Sequence, residues 1–118
     1  MIRTAKAHWS GNLKEGKGTL TTASNILNGT NYSFKTRFED GASGTNPEEL
    51  LAAAHAGCFT MAVAAMLTQK NITPAALDTE ATLTMEDMTI IKLHLSITGS
   101  VPGISAEAFA AITTDAEK

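Results

Sequence analysis

Few side chains in this sequence can do covalent or acid–base chemistry at neutral pH. There is a single cysteine, Cys58, with three histidines, His8, His55 and His94, and two arginines, Arg3 and Arg37. Cys58 lies in the run Thr45-Asn46-Pro47-Glu48-Glu49-Leu50-Leu51-Ala52-Ala53-Ala54-His55-Ala56-Gly57-Cys58-Phe59. A cysteine among alanines is either a small core filler or a protected nucleophile. To act as a nucleophile it must be a thiolate, and an ordinary thiol, with a pKa near ~8.5, needs a nearby cation to reach that form. Arg37 is the candidate cation. A guanidinium stays charged when partly covered, and its fork can hold a thiolate and an oxygen together. The bland role for Arg37 is a surface strand residue paired with Glu39. His55 stands three residues before Cys58, on the same helix face. It reads as a thiolate partner, as half a zinc site, or as an ordinary helix histidine. Zinc takes three or four protein ligands, and His8 and His94 lack the spacing to supply them. No metal is therefore expected, and the ordinary histidine is the favoured reading.

The elements that must position these groups are legible from caps and periodicity. Asn46 suits a helix cap, Pro47 the first helical position, and Glu49 the third residue of a capping box. The helix is expected from Pro47 to about Lys70, with Leu50, Ala54, Cys58, Met61, Ala65 and Met66 along one stripe. Small residues cover its other faces, and a helix apolar all round is normally buried from several sides. In a chain this short, a second copy is one source of that cover. Glu48 and Glu49 both suit the positive end of the helix. At a rise of ~1.5 Å per residue, Glu48 and Cys58 lie ~15 Å apart along it, so a joint role would need Glu48 of one chain and Cys58 of another. Before the helix, residues 2–10, 17–22 and 32–38 read as strands of an antiparallel meander, with a loop at 40–45. After it, 77–85 and 90–98 alternate as two strands, and Ser105 caps a last helix. Strands, a long helix, strands and a helix argue for an α+β fold.

Composition narrows the classes. The chain has 118 residues, 43% hydrophobic and 18% charged, as expected of one ordinary globular domain. A formal net charge of -3 with scattered basic residues argues against nucleic acid as a partner. No apolar run reaches membrane-spanning length; the longest, 59–67, is interrupted by Thr60, so no membrane partner is expected. The N-terminus lacks a signal-peptide core, which makes a cytoplasmic location the default. One cysteine excludes an internal disulfide framework. No glycine-rich phosphate loop is present, and no cofactor is expected.

His8-Trp9, Thr36-Arg37-Phe38-Glu39, Gly44-Thr45-Asn46-Pro47-Glu48-Glu49-Leu50, Ala53-Ala54-His55-Ala56-Gly57-Cys58-Phe59 and Val101-Pro102-Gly103-Ile104 together closely resemble the OsmC/Ohr family, in its osmotically inducible protein C branch. The resemblance covers nearly the whole chain. It implies antiparallel sheets wrapped around a long central helix in an intertwined homodimer. It also implies thiol-dependent reduction of organic hydroperoxides and hydrogen peroxide, through a cysteine sulfenic acid, in oxidative and osmotic stress defence. Carried onto this chain, the catalytic positions are Cys58, Arg37 and Glu48, with Cys58 as attacking thiolate, Arg37 as its cation and Glu48 fixing Arg37. Leu51, Phe59 and Met61 are candidates for the wall of a substrate pocket, and core or dimer packing is their bland alternative. The resemblance further implies a dithiol reductant, such as a dihydrolipoyl group, and a second cysteine followed by a final strand. Residues 1–118 are accordingly expected to form a single OsmC-like domain without that last strand and second cysteine, as in a shortened version of a longer protein. The competing expectation is a non-catalytic dimeric binding or stress-response module with a buried Cys58. A cysteine hydrolase is disfavoured, since no oxyanion-hole signature accompanies the thiol.

Overall fold

Turn residues and alternation build the first of two units in the computed structural model, Met1–Leu50; the second is Leu51–Lys118. The structure describes residues 1–38, 43–87 and 89–116, so Glu39, the first half of the 40–45 loop and Met88 lie outside the described residues. In the first unit, β1 (Ala5–Ser10) pairs antiparallel with β2 (Lys17–Thr22), and β2 with β3 (Thr30–Tyr32). Gly18 stands opposite both Trp9 and Tyr32, whose rings meet at 5.6 Å and 59°. A Cβ on Gly18 would lie 2.5 Å from the Tyr32 ring, which is why the position carries no side chain.

The expected third strand over 32–38 is corrected by the structure. The strand ends at Tyr32, and Phe34–Phe38 form a short helix, α1. Ser33 and Thr36 close a reciprocal cap: the Thr36 N–H donates to Ser33 Oγ at 3.3 Å, and the Ser33 N–H donates to Thr36 Oγ1 at 2.7 Å. These local bonds offer the backbone an alternative to sheet pairing. The four-residue spacing that places Phe34 against Phe38, with ring centroids at 4.8 Å, also belongs to a helix. Arg37 therefore projects from a helix and not from a strand.

The long helix α2 (Pro47–Gln69) begins in the first unit, and in the second its residues from Leu51 onward pack against a hairpin and a closing helix. β4 (Ala76–Glu86) and β5 (Thr89–Ser100) pair antiparallel from Ala76↔Ser100 to Glu86↔Thr89. Odd-numbered β4 residues are half-buried and even-numbered ones exposed, as a sheet with one covered face requires. Phe59, Val63 and Leu67, at four-residue spacing on α2, form the buried core with Ile112 of α3 (Ala106–Ala116). Leu77, Leu95, Ile97 and Phe109 pack around it. A Thr60–Thr79 hydroxyl bond of 2.6 Å ties α2 to β4. The covered face of α2 is thus not the stripe expected from the sequence. Ala54, Cys58, Met61 and Ala65 of that stripe are exposed.

Length and composition also correct the membrane estimate. α2 has 23 residues and a mean hydropathy of 1.8 in its most apolar window, enough to cross a membrane, with 17% of that window buried. Counting only the run 59–67, itself interrupted by Thr60, missed this, because the alanines and leucines before it keep the average high across the polar interruptions. One such helix is weak evidence of a membrane; an apolar helix awaiting cover by protein has the same composition.

Candidate active site

The helix that carries Cys58 starts where the sequence places it. Asn46 Oδ1 accepts the Glu49 N–H at 2.7 Å, completing the cap, while Asn46 Nδ2 donates to the Thr36 carbonyl at 2.9 Å and so ties α2 to α1. The other half of the expected capping box is replaced: Glu49 Oε2 accepts a hydrogen bond from Thr45 Oγ1 at 2.8 Å. Nearby, Arg37 Nε donates to Glu48 Oε1 at 2.6 Å. The Glu48 side chain is 13% exposed and that of Arg37 35% exposed. Arg37 Cζ also lies 5.2 Å from the Phe38 ring centroid, a cation–π contact. The second oxygen of Glu48, Oε2, is buried with no hydrogen-bond partner among the described residues. Because Arg37 bonds through Nε, its two Nη groups keep their donors for other acceptors. The structure thus brings Arg37 and Glu48 together, which no sequence period could reveal.

Cys58 is exposed and free, and makes no hydrogen bond among the described residues. It opens into a cavity of about 530 Å³. His55, Phe59 and Ala62 of α2 line it, with Leu93, His94 and Leu95 of β5 and Ala116 of α3. Leu93 and Leu95 stand opposite Leu83 and Ala81 on the inner face of the hairpin, whereas His94 stands opposite the exposed Thr82. By alternation the His94 side chain belongs to the outer face. A second cavity, of about 370 Å³, is lined by Leu51, Ala54 and His55 of α2, Leu83 of β4, and Ile90 and Leu93 of β5. The two cavities share His55 and Leu93. Ile90 and Leu93 have opposite parity, and they reach one face because the register shifts between Thr84 and Met85. Thr84 pairs with Lys92 and Met85 with Ile90, leaving Ile91 as the bulged residue.

Of the three pocket candidates, Phe59 lines the Cys58 cavity and Leu51 the neighbouring one. Met61 lines neither and is 75% exposed. The walls supplied by Leu83, Ile90, Leu93 and Leu95 were missed in the sequence, although the alternation of β5 was a usable signal for Leu93 and Leu95. Among the described residues no group of three or more His, Cys, Asp or Glu side chains is placed to hold a metal ion.

Residues 39–118 match the family model described as OsmC-like protein. The chain belongs to the OsmC family. Among curated OsmC relatives, it is 44% identical over 119 residues to the Escherichia coli K12 protein named Peroxiredoxin OsmC, covering 98% of this chain and 82% of that one. The Shigella flexneri protein of the same name matches to the same extent. Solved structures share the fold at lower identity. One, an organic hydroperoxide resistance protein OsmC from Legionella pneumophila, is 22% identical with a TM-score of 0.66, over 98% of this chain and 82% of that one. Another, OhrB of Bacillus subtilis, is 23% identical with a TM-score of 0.60, over 96% and 82%. The OsmC fold here is α+β, with antiparallel sheets and one long helix.

Proposed function

We propose that this OsmC-family chain is a thiol-dependent peroxidase that reduces organic hydroperoxides and hydrogen peroxide through Cys58, in oxidative and osmotic stress defence. The observation that carries the reading is an exposed, free Cys58 opening into a cavity walled by Phe59, Leu93 and Leu95. The names of its relatives, a peroxiredoxin and organic hydroperoxide resistance proteins, support the reaction class. The Cys58 thiolate attacks the terminal peroxide oxygen. The S–O bond forms, the O–O bond breaks, and the alcohol leaves once its oxygen takes a proton. Cys58 is left as a sulfenic acid. A thiol reductant then displaces water to give a mixed disulfide, and a second thiol, from a dithiol such as a dihydrolipoyl group, frees Cys58.

Arg37 stabilises the thiolate and the departing oxygen, and Glu48 orients Arg37 through their 2.6 Å bond. Ten residues along one helix separate Glu48 from Cys58 by about 15 Å. The reading therefore has the Arg37–Glu48 pair of one chain serve Cys58 of a second copy in a homodimer. The protein is placed in the cytoplasm, with the exposed apolar face of α2 covered by that second copy and not by lipid. Stopped-flow mixing with cumene hydroperoxide, followed by dimedone trapping, tests the core of the reading. Dimedone adduct on Cys58 after one equivalent of peroxide is expected. An unreactive, untrapped Cys58 would indicate a non-catalytic binding module.

A further inference from the structure

The thiolate, its cation and the carboxylate account for attack on the peroxide but leave one chemical need unmet. An alkoxide is a poor leaving group, and O–O cleavage is fast only if a proton reaches that oxygen as the bond breaks. Arginine remains charged in proteins and cannot donate this proton. The donor has to be sought among titratable groups next to the sulfur.

Among the described residues the cavities narrow the choice to one. The described residues of their walls include no Asp, Glu, Lys or Arg. Apart from the thiol, the titratable residues along them are His55 and His94, and His94 stands opposite Thr82 on the outer face of the hairpin. His55 is three residues before Cys58 on α2, a spacing that leaves the two Cβ atoms about 5–6 Å apart on one face. His55 is exposed, and its imidazole makes no hydrogen bond or ion pair among the described residues, which leaves both ring nitrogens open to the cavities. His55 also lines both cavities, at the junction between the one that holds Cys58 and the apolar one walled by Leu51, Leu83 and Ile90. A hydroperoxide with its carbon group in the apolar cavity and its terminal oxygen at Cys58 would place the departing oxygen at that junction.

We propose that His55 is the proton carrier of the peroxide step, an inference that rests on Cys58 being the attacking thiol. Neutral His55 accepts the Cys58 Sγ proton. The thiolate then bonds to the terminal peroxide oxygen, the O–O electron pair passes to the alkyl oxygen, and the imidazolium returns the proton to it. Thiol and hydroperoxide give sulfenic acid and alcohol, with no net gain or loss of protons.

A leaving-group comparison tests this role. Single-turnover oxidation of Cys58, read by dimedone-adduct mass, is measured with tert-butyl hydroperoxide and with peracetic acid for the wild-type protein and for His55→Gln and His55→Asn. Peracetic acid expels acetate, which needs no proton. The variants are expected to slow about 100-fold with tert-butyl hydroperoxide and less than about 3-fold with peracetic acid, and added imidazole should restore much of the former rate. A merely structural role for His55 would slow both peroxides alike. Equal slowing, or no slowing, in whichever variant retains the wild-type circular dichroism overturns the proposal. Wild-type protein that neither peroxide oxidises at Cys58 would instead refute the peroxidase reading itself, so the two failures are separable.

Discussion

The Arg37–Glu48 bond joins a partly covered carboxylate to a more exposed guanidinium, at 13% and 35% side-chain exposure. Such a pair contributes little to folding, because a half-exposed ion pair is worth at most about 1 kcal/mol. In the proposed mechanism its worth to catalysis is larger, since Nε is committed to Glu48 and the fork of Nη donors is left for the thiolate and the departing oxygen. Lysine would keep the charge but lose both the fork and the ring contact with Phe38. Arg37→Lys should therefore leave the melting temperature nearly unchanged while slowing Cys58 oxidation by about 100-fold, as loss of an oriented charge donor typically does. Steady-state and single-turnover rates measured beside a thermal melt check both halves. A large drop in melting temperature with a proportionate drop in rate would mean that the pair serves the fold.

The elements differ in how openly the sequence declares them. Asn46-Pro47 and Ser105 announce the starts of α2 and α3, and both caps form: Asn46 takes the Glu49 N–H at 2.7 Å and Ser105 the Ala108 N–H at 3.1 Å. α1 was hidden because Tyr32 to Phe38 also alternates, and only the reciprocal Ser33–Thr36 bonds decide for the helix. The bulge at Ile91 was hidden for a related reason. A register shift depends on the partner strand, and no single strand encodes it. Asn46 does more than cap, since its Nδ2 donates to the Thr36 carbonyl at 2.9 Å. Asn46→Asp keeps the acceptor for the cap but sets a carboxylate oxygen against that carbonyl. A loss of about 1–2 kcal/mol is expected, with a fall in peroxidase rate as α1 and Arg37 lose their tie to α2. Denaturant melts read the first effect and the rate with cumene hydroperoxide the second; a neutral substitution would show that the tie is dispensable. Gly99 makes a separate demand in the hairpin, where a Cβ would lie 2.5 Å from Phe109 and 3.1 Å from Leu77. Gly99→Ala should cost about 1–3 kcal/mol by overpacking the α3 contact, again read from denaturant midpoints.

At the scale of the molecule, the question is what covers α2. Leu51 and Met61 are 51% and 75% exposed, and Ile90, Ile91 and Leu93 of β5 are exposed as well. Apolar exposure spread over one helix and an adjacent strand edge is the mark of an interface. If Glu48 and Cys58 share a site, as proposed, helix geometry asks for a second copy as well, because the two are about 15 Å apart on one helix. The two arguments make one joint prediction. Met61→Glu costs nothing where the side chain is solvated, but burial against a second chain would leave its charge unpaired. The variant should sediment as a monomer at concentrations where the wild type is a dimer, with its circular dichroism retained and its peroxidase rate lost. Catalysis can then be assigned between chains by mixing. Glu48→Ala and Cys58→Ser homodimers should each be nearly inactive. A heterodimer of the two has one interface where intact Glu48 meets intact Cys58, and it should regain about half the wild-type rate. A Met61→Glu monomer with full activity would sink the shared site, because one chain would then have supplied every group the reaction needs.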